Sequence, residues 1–140
     1  MTVLIDAGPI VALLDRRQPS HDRCAEVLLA TNEPIITCEA VIAEACHLLR
    51  RLGTAAQDLL QDVKANRYVV EYRLAERADR VARLMGRYAN VPMDLADACL
   101  VDLAELHQTG RILTLDGDFR VYRWGRNKPF ELVLEEFGPR

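Results

Sequence analysis

Residues 2–8 read TVLIDAG. Three apolar residues, Val3, Leu4 and Ile5, run into Asp6, and a helix-like apolar stretch, PIVALLD, begins at Pro9. A short apolar run bounded by turn-forming residues reads as a strand buried on both faces, as in a parallel sheet. A strand that feeds straight into a helix points to an α/β fold. The acid that ends it is the anomaly, because carboxylates are almost never fully buried without a partner.

The same alternation continues outward from this start. Strand-like runs fall at residues 34–37, 68–72, 111–116 and 131–134, and helical periodicity fills the gaps at 21–30, 39–52, 55–65, 75–88 and 95–107. Gly53 and Gly110 stand as helix stop signals. Strands alternating with helices imply right-handed crossovers and a mainly parallel central sheet. There is no repeat, low-complexity tract or Pro/Gly/Ser-rich linker, so residues 1–140 are expected to form one domain.

Composition removes several function classes. The net charge of −3 argues against a protein that coats nucleic acid, although a few phosphates can still be gripped. Sixteen of the eighteen basic residues are Arg, whose planar fork matches phosphate and carboxylate. The longest charge-free stretch is the eight residues from Ala7 to Leu14, far below the ~20 apolar residues of a membrane helix. With no basic region ahead of an apolar run, a cytoplasmic protein that avoids membranes is expected. Cys24, Cys38, Cys46 and Cys99 lack metal-site spacing and read as buried free thiols.

Four acids carry the chemistry. Ligands in open α/β sheets sit at the carboxyl ends of the strands, where Asp6 lies, and where Asp116 closes the run RILTLD with Asp118 just beyond. Glu44 falls on the inward face of the helix EAVIAEACHLL, and Asp97 sits in LADACLVDLAEL, a helix apolar around most of its circumference. Each has an ordinary structural reading. Strand-end Asp residues cap turns, a helical Glu reaches out to water, and Asp97 fits the third helical position after an N-cap at Asp94. As a group they lack a counter-charge, since no Lys or Arg adjoins any of the four in sequence. Converging carboxylates cannot all ionise at neutral pH without a large penalty. A divalent cation removes that penalty, and oxygen-only ligands favour Mg²⁺ or Mn²⁺ over zinc.

The order and context of these acids resemble the PIN domain, and within it the VapC-type toxins of prokaryotic toxin–antitoxin pairs. The resemblance runs through VLIDAGPIVALLD, AVIAEACHLLRRLG and LADACLVDLAELHQTGRILTLDGDF and covers nearly the whole chain. It implies a three-layer α/β/α fold and a Mg²⁺- or Mn²⁺-dependent endoribonuclease that cleaves single-stranded RNA to 3′-hydroxyl and 5′-phosphate products. It also implies a homodimer bound by a cognate antitoxin. The family's acidic quartet falls on Asp6, Glu44, Asp97 and Asp116, with Asp118 matching an additional acid. Asp6 and Asp97 are the implied direct metal ligands, with Glu44 and Asp116 acting partly through water. By contrast, Asp102 on the same helix as Asp97 is expected to be dispensable for cleavage.

The stretch RVYRWGRNK, residues 120–128, interleaves Arg120, Arg123, Arg126 and Lys128 with Tyr122 and Trp124. Arg for phosphates and aromatics for unstacked bases suit single-stranded RNA, so Arg120, Arg123 and Trp124 are candidate substrate contacts. A plain surface loop fits the same residues. Arg77, Arg80, Arg83 and Arg87 line one helix face, where a solvated surface is the competing reading. Two rival functions remain at this point: a phosphotransfer domain, receiver-like through Lys128 or haloacid-dehalogenase-like through DGD, and a non-catalytic interaction module.

Overall fold

The computed structural model describes residues 1–137. The chain runs through β1 (Val3–Ile5), α1 (Ala7–Leu14), α2 (His21–Ala30), β2 (Ile35–Thr37), α3 (Glu39–Leu49), α4 (Ala55–Lys64), β3 (Val69–Val70), α5 (Leu74–Arg87) and α6 (Leu95–His107). It then forms β4 (Arg111–Leu113), a 3-10 turn (Gly117–Arg120), β5 (Arg123–Trp124), β6 (Lys128–Pro129), β7 (Glu131–Leu132) and a closing 3-10 segment (Val133–Phe137).

β1 is buried at every position because it is the middle strand of a five-stranded sheet ordered β3-β2-β1-β4-β7. All its pairings are parallel, with Leu4 opposite Ile36 on one side and Ile112 on the other. The first two connections step outward from β1 to β3. The third returns across the sheet to β4, so crossovers of the usual right hand place helices on both faces, and the direction in which strands are added reverses between β1 and β4. The result is the expected mainly parallel sheet flanked by helices. A topological switch of this kind opens a crevice at the strand carboxyl ends, and Asp6 and Thr114 both stand there.

Helix ends follow local chemistry. Asp6 caps α1 by accepting from Ala7 N–H at 2.8 Å, and Asp94 caps α6 by accepting from Asp97 N–H at 2.8 Å. Pro9 falls in the first turn of α1, where its missing N–H costs no intrahelical bond. α6 ends differently from expectation. Gln108, at φ 51°, takes the left-handed turn, and Gly110 is needed for another reason: a Cβ there would collide with the Trp124 indole. α3 likewise stops at Leu49, short of the expected residue 52, and Gly53 at φ 48° lies in the turn that follows. Residues 133–134, read as strand, belong to the closing 3-10 segment.

α6 is buried from Ala96 through Ala104, Asp102 included. Arg77 reaches from α5 to hold Asp102 with a two-pronged pair at 2.7 and 2.8 Å, and Tyr72 Oη donates to the same carboxylate at 2.7 Å. One turn along, Arg80 pairs with Glu105 at 2.6 Å. Two of the four arginines on α5 are therefore committed to fastening α5 onto α6. All four cysteines are free, with Cys24, Cys38 and Cys99 buried and Cys46 half-buried.

A candidate metal centre at the strand ends

The carboxylates of Asp6, Asp97 and Asp116 converge, each offering an oxygen within 4.8 Å of the others. They arrive from three elements: the exit of β1, the first turn of α6, and the turn after β4. Asp6 is 8% exposed and Asp97 6%, while Asp116 lies on the open side.

Each carboxylate is oriented by hydrogen bonds. Asp6 Oδ2 accepts from Thr114 Oγ1 at 2.9 Å, and that same hydroxyl oxygen accepts from Asp116 N–H at 3.0 Å. Thr114 thus ties the first acid to the last. Asp116 Oδ1 accepts from Asp118 N–H at 2.9 Å, which starts the 3-10 turn, and Asp97 Oδ2 accepts from Tyr122 Oη at 2.9 Å.

Burial and mutual repulsion disfavour the charged forms of these carboxylates. Burial raises the Asp97 carboxyl to about 7; the Tyr122 hydrogen bond opposes the rise, and Asp94, Asp6 and Asp116 add to it. Burial also lifts Asp6, against the pull of Ala7 N–H and Thr114, with Asp116 and Asp94 repelling. Glu44 is raised by burial first and then by Asp6, Asp94 and Asp116. Among the described residues, none of the ion pairs reaches Asp6, Glu44, Asp94, Asp97 or Asp116. Three oxygen donors, uncompensated and partly desolvated, fit a hard divalent cation.

This predicts an unusual pH response. A carboxyl raised in the folded state stabilises the fold while it holds its proton, and that contribution is lost as pH rises from the unfolded value of 3.8 through about 7. The chelated protein should therefore lose melting temperature across that range, and Asp97→Asn should flatten the slope. Millimolar Mn²⁺ should restore the loss near pH 7 by replacing the proton. Equal slopes for wild type and Asp97→Asn in differential scanning fluorimetry would count against the cluster.

The other sequence-derived candidates are distributed differently. Glu44 and Asp118 stand outside the converging set, Glu44 at an exposed rim close enough to feel three of the acids. Trp124 corrects an expectation: it is 8% exposed, its indole N–H donates to Pro129 O at 3.1 Å, and the Lys128 ammonium lies 4.8 Å from its ring centroid. It packs into the fold and offers no free face to a base. Arg123 Nη1 caps the carbonyls of Arg120, Val121 and Tyr122, and Arg120 pairs with Glu135, so these two are occupied as well. Thr114, Tyr122 and Asp94 were not singled out as site residues. Thr114 had a legible signal, a hydroxyl two residues before a strand-end acid; Tyr122 had none.

Comparison with known proteins gives a consistent result. The PIN domain family profile matches residues 3–125. Ribonuclease VapC26 of Mycobacterium tuberculosis is 27% identical over 116 residues, covering 81% of this chain and 86% of that protein. Ribonuclease VapC29 of the same species is 29% identical over 121 residues, covering 83% and 86%. Among solved structures, Mycobacterium tuberculosis VapC20, a sarcin-ricin loop cleaving toxin, superposes with a TM-score of 0.77 at 19% identity, covering 91% of this chain and 99% of that one.

Proposed function

The chain is a member of the PIN domain family, and from that premise we propose that it is a divalent-metal-dependent endoribonuclease acting on single-stranded RNA, the toxin of a toxin–antitoxin pair. The observation that carries the reading is the convergence of Asp6, Asp97 and Asp116, which none of the ion pairs among the described residues reaches. Relatives named as ribonucleases support the substrate class.

Asp6, Asp97 and Asp116 would hold the ion, and the all-oxygen donor set suits Mg²⁺ or Mn²⁺. When bound, such an ion activates water for attack on a phosphodiester and offsets the charge that builds on the phosphate. The chain supplies the rest. Thr114 and the Asp118 amide fix two of the carboxylates in direction, and burial of Asp6 and Asp97 excludes competing solvent. Glu44, at the rim, adds negative charge at the mouth of the site.

The protein partners belong to the same proposal: a cognate antitoxin and a second copy of the chain, acting in the cytoplasm. Exposed Leu29 beside a cleft of about 550 Å³ that Leu13, Leu28, Ile35 and Tyr68 help line supports a protein partner. No helix among the described residues is long and apolar enough to cross a membrane. A receiver-like site is disfavoured because Lys128 sits over Trp124.

The test is cleavage of a single-stranded RNA by the purified chain with and without EDTA. We expect cleavage to stop on chelation and return with Mg²⁺ or Mn²⁺, leaving 5′-phosphate ends. Undiminished cutting in EDTA would sink the reading.

A further inference from the structure

Tyr122 is fully buried and its hydroxyl is committed to Asp97 Oδ2. Its ring is wedged edge-on between Tyr88 and Phe119, with centroids 5.1 Å away on each side. Its own N–H donates to Asp118 O at 3.2 Å, and the next N–H, that of Arg123, donates to Tyr88 Oη at 2.9 Å. The ring and the backbone are thus both pinned, and the hydroxyl has no open direction to swing away. Asp97 Oδ1, by contrast, accepts no hydrogen bond among the described residues.

We propose that Tyr122 sets the ion selectivity of this site, by engaging Oδ2 so that Asp97 ligates through one oxygen. The inference rests on the metal-centre reading above. Ca²⁺ takes six to eight oxygens at longer range and accepts carboxylates through both, whereas Mg²⁺ demands six near-ideal octahedral positions and gains nothing from a second oxygen of the same carboxylate. A fixed donor on one oxygen therefore competes with Ca²⁺ for that oxygen and leaves the ligand count of Mg²⁺ or Mn²⁺ unchanged. The same bond restrains the remaining oxygen, as outer partners do when they orient metal ligands. Tyr122 is a positioning residue in this account, acting only through Asp97.

The experiment is calorimetric titration of the full chain with MnCl₂ and, separately, CaCl₂ at one pH and ionic strength, alongside thermal melting in EDTA. Wild type should bind Mn²⁺ more tightly than Ca²⁺. Tyr122→Phe keeps the ring and its packing, and should lose about 10-fold in Mn²⁺ affinity, the scale on which outer partners tune metal sites. Its Ca²⁺ affinity should hold or rise, so that the preference narrows. Tyr68→Phe removes a tyrosine hydroxyl from the cleft lined by Leu28 and Ile35, away from Asp97 and from the contacts that pin Tyr122, and should leave the preference intact. Equal losses for both ions, or no change in either, would overturn the selectivity role, as would a wild type that binds Ca²⁺ as tightly as Mn²⁺, a result readable even if Tyr122→Phe does not fold. A wild type that takes up neither ion would instead remove the metal centre itself.

Discussion

Asp97→Asn is expected to lower RNA cleavage by about 100-fold or more, since a catalytic metal contributes several kcal/mol to the transition state and each ~1.4 kcal/mol is tenfold in rate. Asn has the shape of a protonated Asp and can still accept the Tyr122 hydrogen bond, so the site keeps its form while losing a charge. Removing a carboxylate whose ionisation is disfavoured by burial should leave the metal-free fold as stable as wild type or more so. The pairing of lost activity with retained stability is the diagnostic outcome. Initial rates at saturating Mn²⁺ and melting curves in EDTA measure the two halves. A rate within a few-fold of wild type would mean that Asp97 does not serve the chemistry.

Asp102→Ala should fail in the opposite way. Asp102 is fully buried, and its removal strands the Arg77 guanidinium and the Tyr72 hydroxyl. Water reaches the Arg77 side chain, which is 35% exposed, so the loss is that of hydrogen bonds to a charged group, about 1.5–3 kcal/mol, which lowers the melting temperature of a chain this size by roughly 5–12 °C. Burial raises the Asp102 carboxyl, but the Arg77 and Tyr72 hydrogen bonds outweigh it and the net shift is downward. A lowered carboxyl stabilises above its unfolded value and loses that contribution as pH falls, so the deficit of the variant should shrink in acid. Asp102 is expected from sequence to be dispensable for cleavage, but its part in fastening α5 to α6 makes it no silent control for stability; an exposed acid such as Asp79 serves better. Unchanged melting in Asp102→Ala would show that the pair contributes nothing net.

The contrast between these two acids shows what one dimension can carry. Asp97 and Asp102 share a helix and an apolar context, and what separates them is a partner on another element: Arg77 for one, two acids for the other. Contacts across such distances leave no trace in local pattern. Asp6 and Asp116 were legible because a carboxylate at the end of an apolar strand conflicts with its surroundings, and the strand alternation placed both at the same edge. The stretch RVYRWGRNK misled because Arg beside aromatics resembles an RNA grip. Its turn signal was nevertheless present: Gly125 and Asn127 both adopt positive φ, 56° and 60°, and fold Arg123–Trp124 against Lys128–Pro129. That ribbon turns Tyr122 and Trp124 inward. β1 and β4 end short of the expected Asp6 and Asp116 because these acids keep an extended backbone without a ladder partner.

Of the described strands, the central one is also the first to be synthesised. β1 leaves the ribosome with one neighbour soon to follow, but its other flank stays open until β4 emerges, and the Thr114–Asp6 hydrogen bond spans 108 residues. Closing so long a loop is entropically costly and slow compared with forming the helices in between. A nascent chain therefore carries Asp6 without Asp116 until β4 has been made, and Tyr122 comes later still. The three carboxylates come together only once Asp116 has been made and β4 has docked beside β1, so a chain that stops short of β4 carries Asp6 as an isolated acid at an open strand edge.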